Sequence, residues 1–381
     1  MVKDIKIADG YKQTEVGVIP VDWKVELLSK ISHFENGKAH EQFIDEHGDF
    51  IVVNSKFIST EGKVKKYSKK KIFPLKKGDI TVVMSDIPNG KALAKCFLID
   101  KSNKYTLNQR IGGITANEDN DNKYLFYKLN RNKFYLSFDS GTGQTNIKRQ
   151  EILDCPIPLP PTRAEQTAIA TALSDMDALI EGLEKLLVKK RNIKQGAMQD
   201  LLKPKDGWEI KMLGEALTYE QPTKYLVLNT EYNPNSGIPV LTAGKSFILG
   251  YTNEEFGVFS KVPVIIFDDF TTSIQFVKFK FKVKSSALKI LKKRSNKFNL
   301  VFLYSLMQLI KFDATDHKRY WISEYQNIKI KVPDSIEQTR IAQILSDMDT
   351  EISQLETELS KYKMLKTGMM QELLTGKKRL I

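Results

Sequence analysis

Apolar residues in this chain follow two rhythms, and the rhythms alternate along it. In two places they fall three and then four residues apart. Leu173, Met176, Ile180, Leu183 and Leu187 make the first series; Leu345, Met348, Ile352, Leu355 and Leu359 make the second. A period of 3.5 residues marks the seam between paired α-helices. Each series follows a proline and a capping-box pattern, Thr162–Glu165 and Asp334–Glu337, in which the first side chain accepts a backbone N–H and the glutamate reaches back. Elsewhere the apolar runs are short and broken by glycine, asparagine and proline. FIVVNSKFI, GDITVVMSDIPNG, KALAKCFLI and CPIPLP precede the first series; IPVLTAGK, KVPVIIFDDF and QFVKFKFKVK lie between the two. These predict strands joined by loops, with NKFNLVFLYSLMQLIK as a helix among them, so the class is α+β.

The two helical stretches are copies of each other. The letters LSDMD occur at Leu173–Asp177 and again at Leu345–Asp349, and residues 161–202 aligned without gaps on 333–374 share 22 of 42 positions. A fainter echo precedes each copy, DWKVELLSKI from Asp22 and GWEIKMLGEA from Gly207. The chain therefore divides into a variable block (1–160), a shared segment (161–202), a second variable block (203–332) and the second shared segment (333–381). Serine and aspartate are good N-caps, so LSD is expected to end a short helix and open a long one that reaches about residue 202 or 374. One unbroken helix with its acidic residues in water is the alternative. A strip this narrow needs a partner. Packing the copies antiparallel on each other, about an approximate two-fold axis, is the economical solution, and pairing with a second chain is the other.

Charge separates the segments further. The net charge is +13, and residues 1–160 carry 26 basic and 20 acidic side chains, against 20 and 12 in residues 203–332. The shared segments are balanced at 6 and 6, then 7 and 8. The excess belongs to the variable blocks and suits a polyanion such as DNA. The two cysteines, Cys96 and Cys155, make no disulfide framework. With no long uncharged apolar run and no export signal, a cytoplasmic protein is expected.

Base reading needs directional donors and acceptors on positioned loops. The first block offers Asn54, Ser55 and Lys56; Asn89 and Lys91 in SDIPNGK; and Thr142, Gln144, Asn146 and Lys148 in GTGQTNIK. The second offers Thr242 and Lys245 in TAGK, Thr271 and Thr272 in DDFTT, and Lys318, Arg319 and Tyr320 in DHKRYW. Each of these residues has a turn-forming role as its alternative. Lys278, Lys280, Lys282 and Lys284 alternate with Val277, Phe279, Phe281 and Val283, which predicts one strand with four lysines on one face. That face either lies along phosphates or protects a sheet edge from aggregation. GTGQTN lacks the spacing and ending of a phosphate-binding loop. His33, His40, His47 and His317 have no zinc-type neighbours, and no metal site is expected. An adenine-methylation tetrad and an acidic nuclease core are absent from the sequence as well, so no intrinsic catalysis is expected.

The chain resembles the specificity subunits of type I restriction–modification systems along nearly its whole length. The resemblance is carried by EVGVIPVDW (Glu15–Trp23), GDITVVMSD (Gly78–Asp86), and GQTNIKRQEILDCPIPLPP leading into EQTAIATALSDMDALI. FDDFTTS and YWISEYQNIKIKVP lead likewise into EQTRIAQILSDMD. It implies two mixed α/β target-recognition domains separated by two long antiparallel helices in a coiled coil, related by pseudo-two-fold repetition. Each domain would read one half of a bipartite, asymmetric site on double-stranded DNA. The helices would set the gap and dock two methyltransferase subunits, with restriction subunits joining the complex. S-adenosylmethionine, ATP and Mg would then sit on those partners and not on this chain. The second block departs from the pattern, offering Lys318-Arg319-Tyr320-Trp321 where a glycine-rich loop is usual. A non-catalytic coiled-coil adaptor with non-specific polyanion binding is the competing reading.

Overall fold

A computed structural model describes residues 7–87, 90–139, 141–243, 246–312 and 319–380. The chain forms two compact units. One holds residues 1–182 and 359–381, the other residues 183–358. Two 39-residue helices, Arg163–Leu201 and Ser335–Leu373, are therefore each divided between the units.

The units repeat one topology. In the first, a four-stranded antiparallel sheet has the order Ser32–Asn36, Ile111–Ala116, Ile80–Val83, Cys96–Leu98. In the second the order is Leu217–Glu220, Leu288–Lys293, Val264–Asp268, Ile274–Val277. Each unit adds a three-stranded mixed sheet centred on Phe50–Val53 or Ile238–Leu241. Each also has a two-stranded ribbon, Lys24–Leu27 with Pro156–Leu159 or Glu209–Met212 with Lys329–Val332. The DWKVELLSKI and GWEIKMLGEA echo supplies the ribbon strand and the one-turn helix after it, Leu28–Ile31 and Leu213–Ala216. The predicted helix in the second block is Leu300–Gln308, capped by Asn299, whose side chain accepts from the Val301 and Phe302 N–H groups. Its counterpart Asn122–Leu129, capped by Asp121, carries no clean period and was not legible in the sequence.

The shared EQT motif ties each long helix to its unit. Gln166 accepts the backbone N–H of Asp121 at 2.9 Å, and Gln338 accepts that of Asn299 at the same distance. An amide buried at a helix start must be satisfied somewhere, and here a residue of the long helix does it twice over. Apolar packing supplies the larger energy. Leu173, Ile169 and Ala170 share the first unit's main core with Trp23, Tyr124 and Leu373; Leu345, Ile341 and Ala342 share the second's with Leu213, Phe302 and Trp321.

The expected break at LSD does not occur. Both helices run through it without interruption. The Ser174 hydroxyl donates to the Thr171 carbonyl one turn back and caps nothing. The acidic residues instead make contacts to distant parts of the chain. Within the first unit Asp177 pairs with Lys366 at 2.5 Å and accepts the Tyr127 hydroxyl at 2.7 Å. Within the second, Asp349 pairs with Lys194. These pairs correspond residue for residue, because Lys194 and Lys366 occupy matching positions in the two copies. At the helix starts Thr162 and Asp334 do cap, while the glutamates turn away from the box. Glu165 binds Arg379 and Glu337 binds Arg340 and Lys205; these cations hold the Glu337 carboxyl down at about 2. Asp177–Lys366 in the first unit, and Lys190–Glu351 and Lys194–Asp349 in the second, each bring a residue from the first half of one helix beside one from the second half of the other, so within each unit they run antiparallel.

Leu173, Leu183, Leu187 and Leu345 are buried, and Met176, Ile180, Met348, Ile352, Leu355 and Leu359 are half-buried. The four-lysine row is corrected. Val277 ends one strand and Lys282–Val283 begins another. Lys278, Lys280 and Lys284 are exposed, but Lys282 is fully buried, pairing with Glu254 at 2.7 Å and donating to the Phe256 carbonyl at 2.8 Å. Phe279 faces outward. The irregular Lys278–Lys280 link shifts the alternation, so period two fails across it.

Replacing Ser174 by alanine should leave the melting temperature within about 1 °C or raise it, since alanine is the better residue inside a helix. Loss of an N-cap would cost ~1 kcal/mol, and a drop of that size in thermal denaturation would mean that a helix starts at LSD after all.

Candidate nucleic-acid interface

In the first unit the end of the central strand and the GTGQTNIK segment meet as a two-stranded pair, with Thr145 opposite Asp86 and Asn146 opposite Ser85. The Ser85 hydroxyl donates to the Asn146 side chain at 2.6 Å, and the Gln144 amide donates to Ser85 at 2.8 Å. Gln144 and Asn146 are otherwise exposed. They form an amide pair whose orientation is fixed by a nearly buried serine.

Next to it, one carboxylate gathers the described backbone on either side of the SDIPNGK tip. Asp86 accepts the N–H groups of Ile87, Ala92 and Leu93 at 2.9, 2.7 and 3.0 Å. The approach is so close that a Cβ on Gly90 would lie 2.1 Å from Asp86 Oδ2, which is why glycine stands there. Lys91 is exposed, and Arg131 holds the loop's far side through the Leu93 carbonyl at 3.0 Å. Thr142 and Lys148 are exposed, and the Lys148 backbone N–H is taken by Glu151 at 2.7 Å. Asn54 caps the helix Ser55–Ser59 by accepting the Phe57 N–H at 2.9 Å; Ser55 is half-buried and Lys56 exposed. That helix and the residues flanking the loop share a smaller core, through Phe57, Ile58, Val83 and Ala92.

In the second unit the corresponding strand ends at Asp268, followed by Asp269, both buried. Asp268 accepts the Phe270 N–H at 3.0 Å and the Thr271 hydroxyl at 2.5 Å, so the first turn of DDFTT is wound on it. Asp269 binds what lies beyond the loop. Its N–H donates to the Ala287 carbonyl at 3.0 Å, its carbonyl accepts the Tyr320 N–H at 3.0 Å, and Oδ1 accepts the Trp321 N–H at 2.8 Å. Its Oδ2 lies 3.1 Å from the Lys289 ammonium, which is itself fully buried and bonded to Gln221 at 2.7 Å. Thr271 and Arg319 are exposed, and Thr272 adopts φ 58°. The Tyr320 ring is buried and packs on Phe312 with centroids 5.2 Å apart; it supports the segment from beneath. Half-buried Thr242 and exposed Thr271 both line a cleft of about 350 Å³ with Asp268, Ser273 and Gln275. Asn89, Lys245 and Lys318 lie outside the described residues.

Sequence reasoning located these loops by their polarity but missed what organises them. Asp86, Asp268 and Asp269 each hold backbone N–H groups and anchor the loops, and buried Lys289 is the least legible of all, because charged residues are rarely interior unless paired. Replacing Asp269 by asparagine leaves the Lys289 ammonium without a counter-charge. That substitution should destabilise the second unit by about 3–5 kcal/mol in urea unfolding, and a loss under ~1 kcal/mol would show that the pair does not hold the loop.

Comparison with known proteins places this arrangement. The family model for the type I restriction modification DNA specificity domain matches twice, over residues 20–189 and 205–361. An Escherichia coli protein, the EcoR124I/EcoR124II specificity subunit, is 46% identical over 180 residues, which is 44% of this chain and 45% of that one. The chain thus matches less than half the length of that relative. A Methanocaldococcus jannaschii protein described as a putative type I restriction enzyme MjaX specificity subunit is 26% identical, with 98% of this chain and 97% of that one covered. Among solved structures, the S subunit of a type I restriction–modification system from M. genitalium superposes with a TM-score of 0.68 at 19% identity, over 92% of this chain and 96% of that one; at that identity the likeness concerns the fold. With two family matches that account for most of its length and two units that repeat one topology, the chain belongs to the type I restriction–modification DNA specificity subunits.

Proposed function

We propose that each unit reads one half of a bipartite, asymmetric site on double-stranded DNA and that the paired helices set the gap between the halves. Methylation and cleavage belong to partner methyltransferase and restriction subunits, which carry S-adenosylmethionine, ATP and Mg, and this chain contributes recognition without catalysis. The observation that carries the reading is the duplicated helix pairing. Asp177–Lys366 and Asp349–Lys194 are one contact made twice by two copies of a sequence, and a chain that repeats its scaffold repeats the task the scaffold serves. The loops mounted on that scaffold differ in sequence, SDIPNGK and GTGQTNIK in one unit against DDFTT and DHKRYW in the other, as two different half-sites require. The excess positive charge of the variable blocks suits phosphate contact, which positions a protein on DNA without specifying sequence.

Inserting four residues, about one helical turn, into both long helices tests the ruler. Each helix lengthens by ~6 Å, so methylation sequencing of a host carrying the variant and its methyltransferase should show the same half-sites with the gap changed by about two base pairs. An unchanged gap would refute the role of the helices.

A further inference from the structure

We infer that Ile87 in the first unit and Phe270 in the second are specificity-determining apolar contacts, each packing on the C5-methyl group of a thymine in the half-site its unit reads. The inference rests on the DNA-reading role above and names residues for it. Both side chains are exposed, Ile87 to 70% and Phe270 to 41%. Isolated exposed apolar residues are ordinary, but these two occupy related places and are held there by the same device.

The places correspond through the backbone. Met84 and Asp269 directly follow the strands Ile80–Val83 and Val264–Asp268. The Met84 carbonyl accepts the Ile147 N–H as the Asp269 carbonyl accepts that of Tyr320; the Met84 N–H donates to Arg110 O as that of Asp269 donates to Ala287 O. Ile87 follows three residues after Met84, and Phe270 directly follows Asp269. Each has its own N–H bound by a carboxylate, Asp86 for Ile87 at 2.9 Å and Asp268 for Phe270 at 3.0 Å. The same carboxylates fix the next part of each loop, so the backbone cannot readily swing either side chain inward. Beside them stand exposed polar groups, Gln144 and Asn146 in one unit and Thr271 in the other. Two loops of unrelated sequence thus each hold one apolar side chain in water next to directional donors. In the major groove the thymine methyl is the apolar feature of a base-pair edge, and contacts of this kind distinguish thymine where hydrogen bonds alone do not.

The test uses the full chain complexed with its methyltransferase partner and duplexes bearing its methylated motif. Dissociation constants are measured with normal thymines and with deoxyuridine replacing the thymines of one half-site at a time. The wild-type complex should bind about fourfold more weakly for each contacted methyl removed, the worth of one buried methyl group. Ile87→Ser should bind the normal duplex as weakly as the wild type binds the deoxyuridine one, and should ignore deoxyuridine in one half-site while still responding in the other. Phe270→Ser should show the reverse, and Ile87→Val should restore most of the affinity. Variants that bind as tightly as the wild type, or that still respond to deoxyuridine in both half-sites, would overturn the inference while leaving DNA reading intact. So would variants that fail to assemble with the methyltransferase yet bind DNA normally, since Ile87 or Phe270 would then face that protein. A wild-type complex with no preference for its motif over random duplex would remove the DNA-reading role itself.

Discussion

The constraint on which this protein depends is that its two long helices are copies pairing with each other in opposite directions. In such a pair each contact between different positions occurs twice, as in an isologous interface between identical subunits. Asp177 with Lys366 and Asp349 with Lys194 are that doubled contact. An exposed ion pair contributes only ~0–1 kcal/mol, so the buried leucines carry the stability and the charges fix the register. A helix slipped by one turn would set these carboxylates beside the wrong neighbours. The same contact made twice calls for the same residues in both copies, which accounts for identical pentapeptides 172 residues apart.

Much of this was legible because periodicity survives without context. The two long helices, their ends near residues 202 and 374 and strands in both variable blocks follow from local pattern. LSDMD was misread because serine and aspartate make equally good caps and helix-surface partners, and the partner that decides lies far away in sequence. The lysine row failed for a related reason. Period two assumes an unbroken strand, and the irregular link at Lys278–Lys280 sends Lys282 inward to Glu254. Loop polarity singles out Gln144 and Asn146 but not what orients them, Ser85 and the strand pairing around it. Tyr320 differs in the other direction: its polar neighbours suggest an exposed ring, yet the ring is buried and packs on Phe312.

The division of labour in the molecule follows. Shared residues such as Gln166 and Gln338 bind the helix to each unit through backbone groups, and backbone contacts tolerate change in the side chains around them. Asp86, Asp268 and Asp269 likewise hold their loops by N–H groups. Other described side chains of these loops can thus vary without disturbing the scaffold, as surface loops commonly do.

The most direct measurement is methylation sequencing of a host that expresses this chain with its methyltransferase, before and after residues 203–332 are exchanged for those of another specificity subunit. The account predicts a two-part methylated motif in which one half and the gap persist while the other half is replaced. A contiguous motif, or a change in both halves at once, would contradict it.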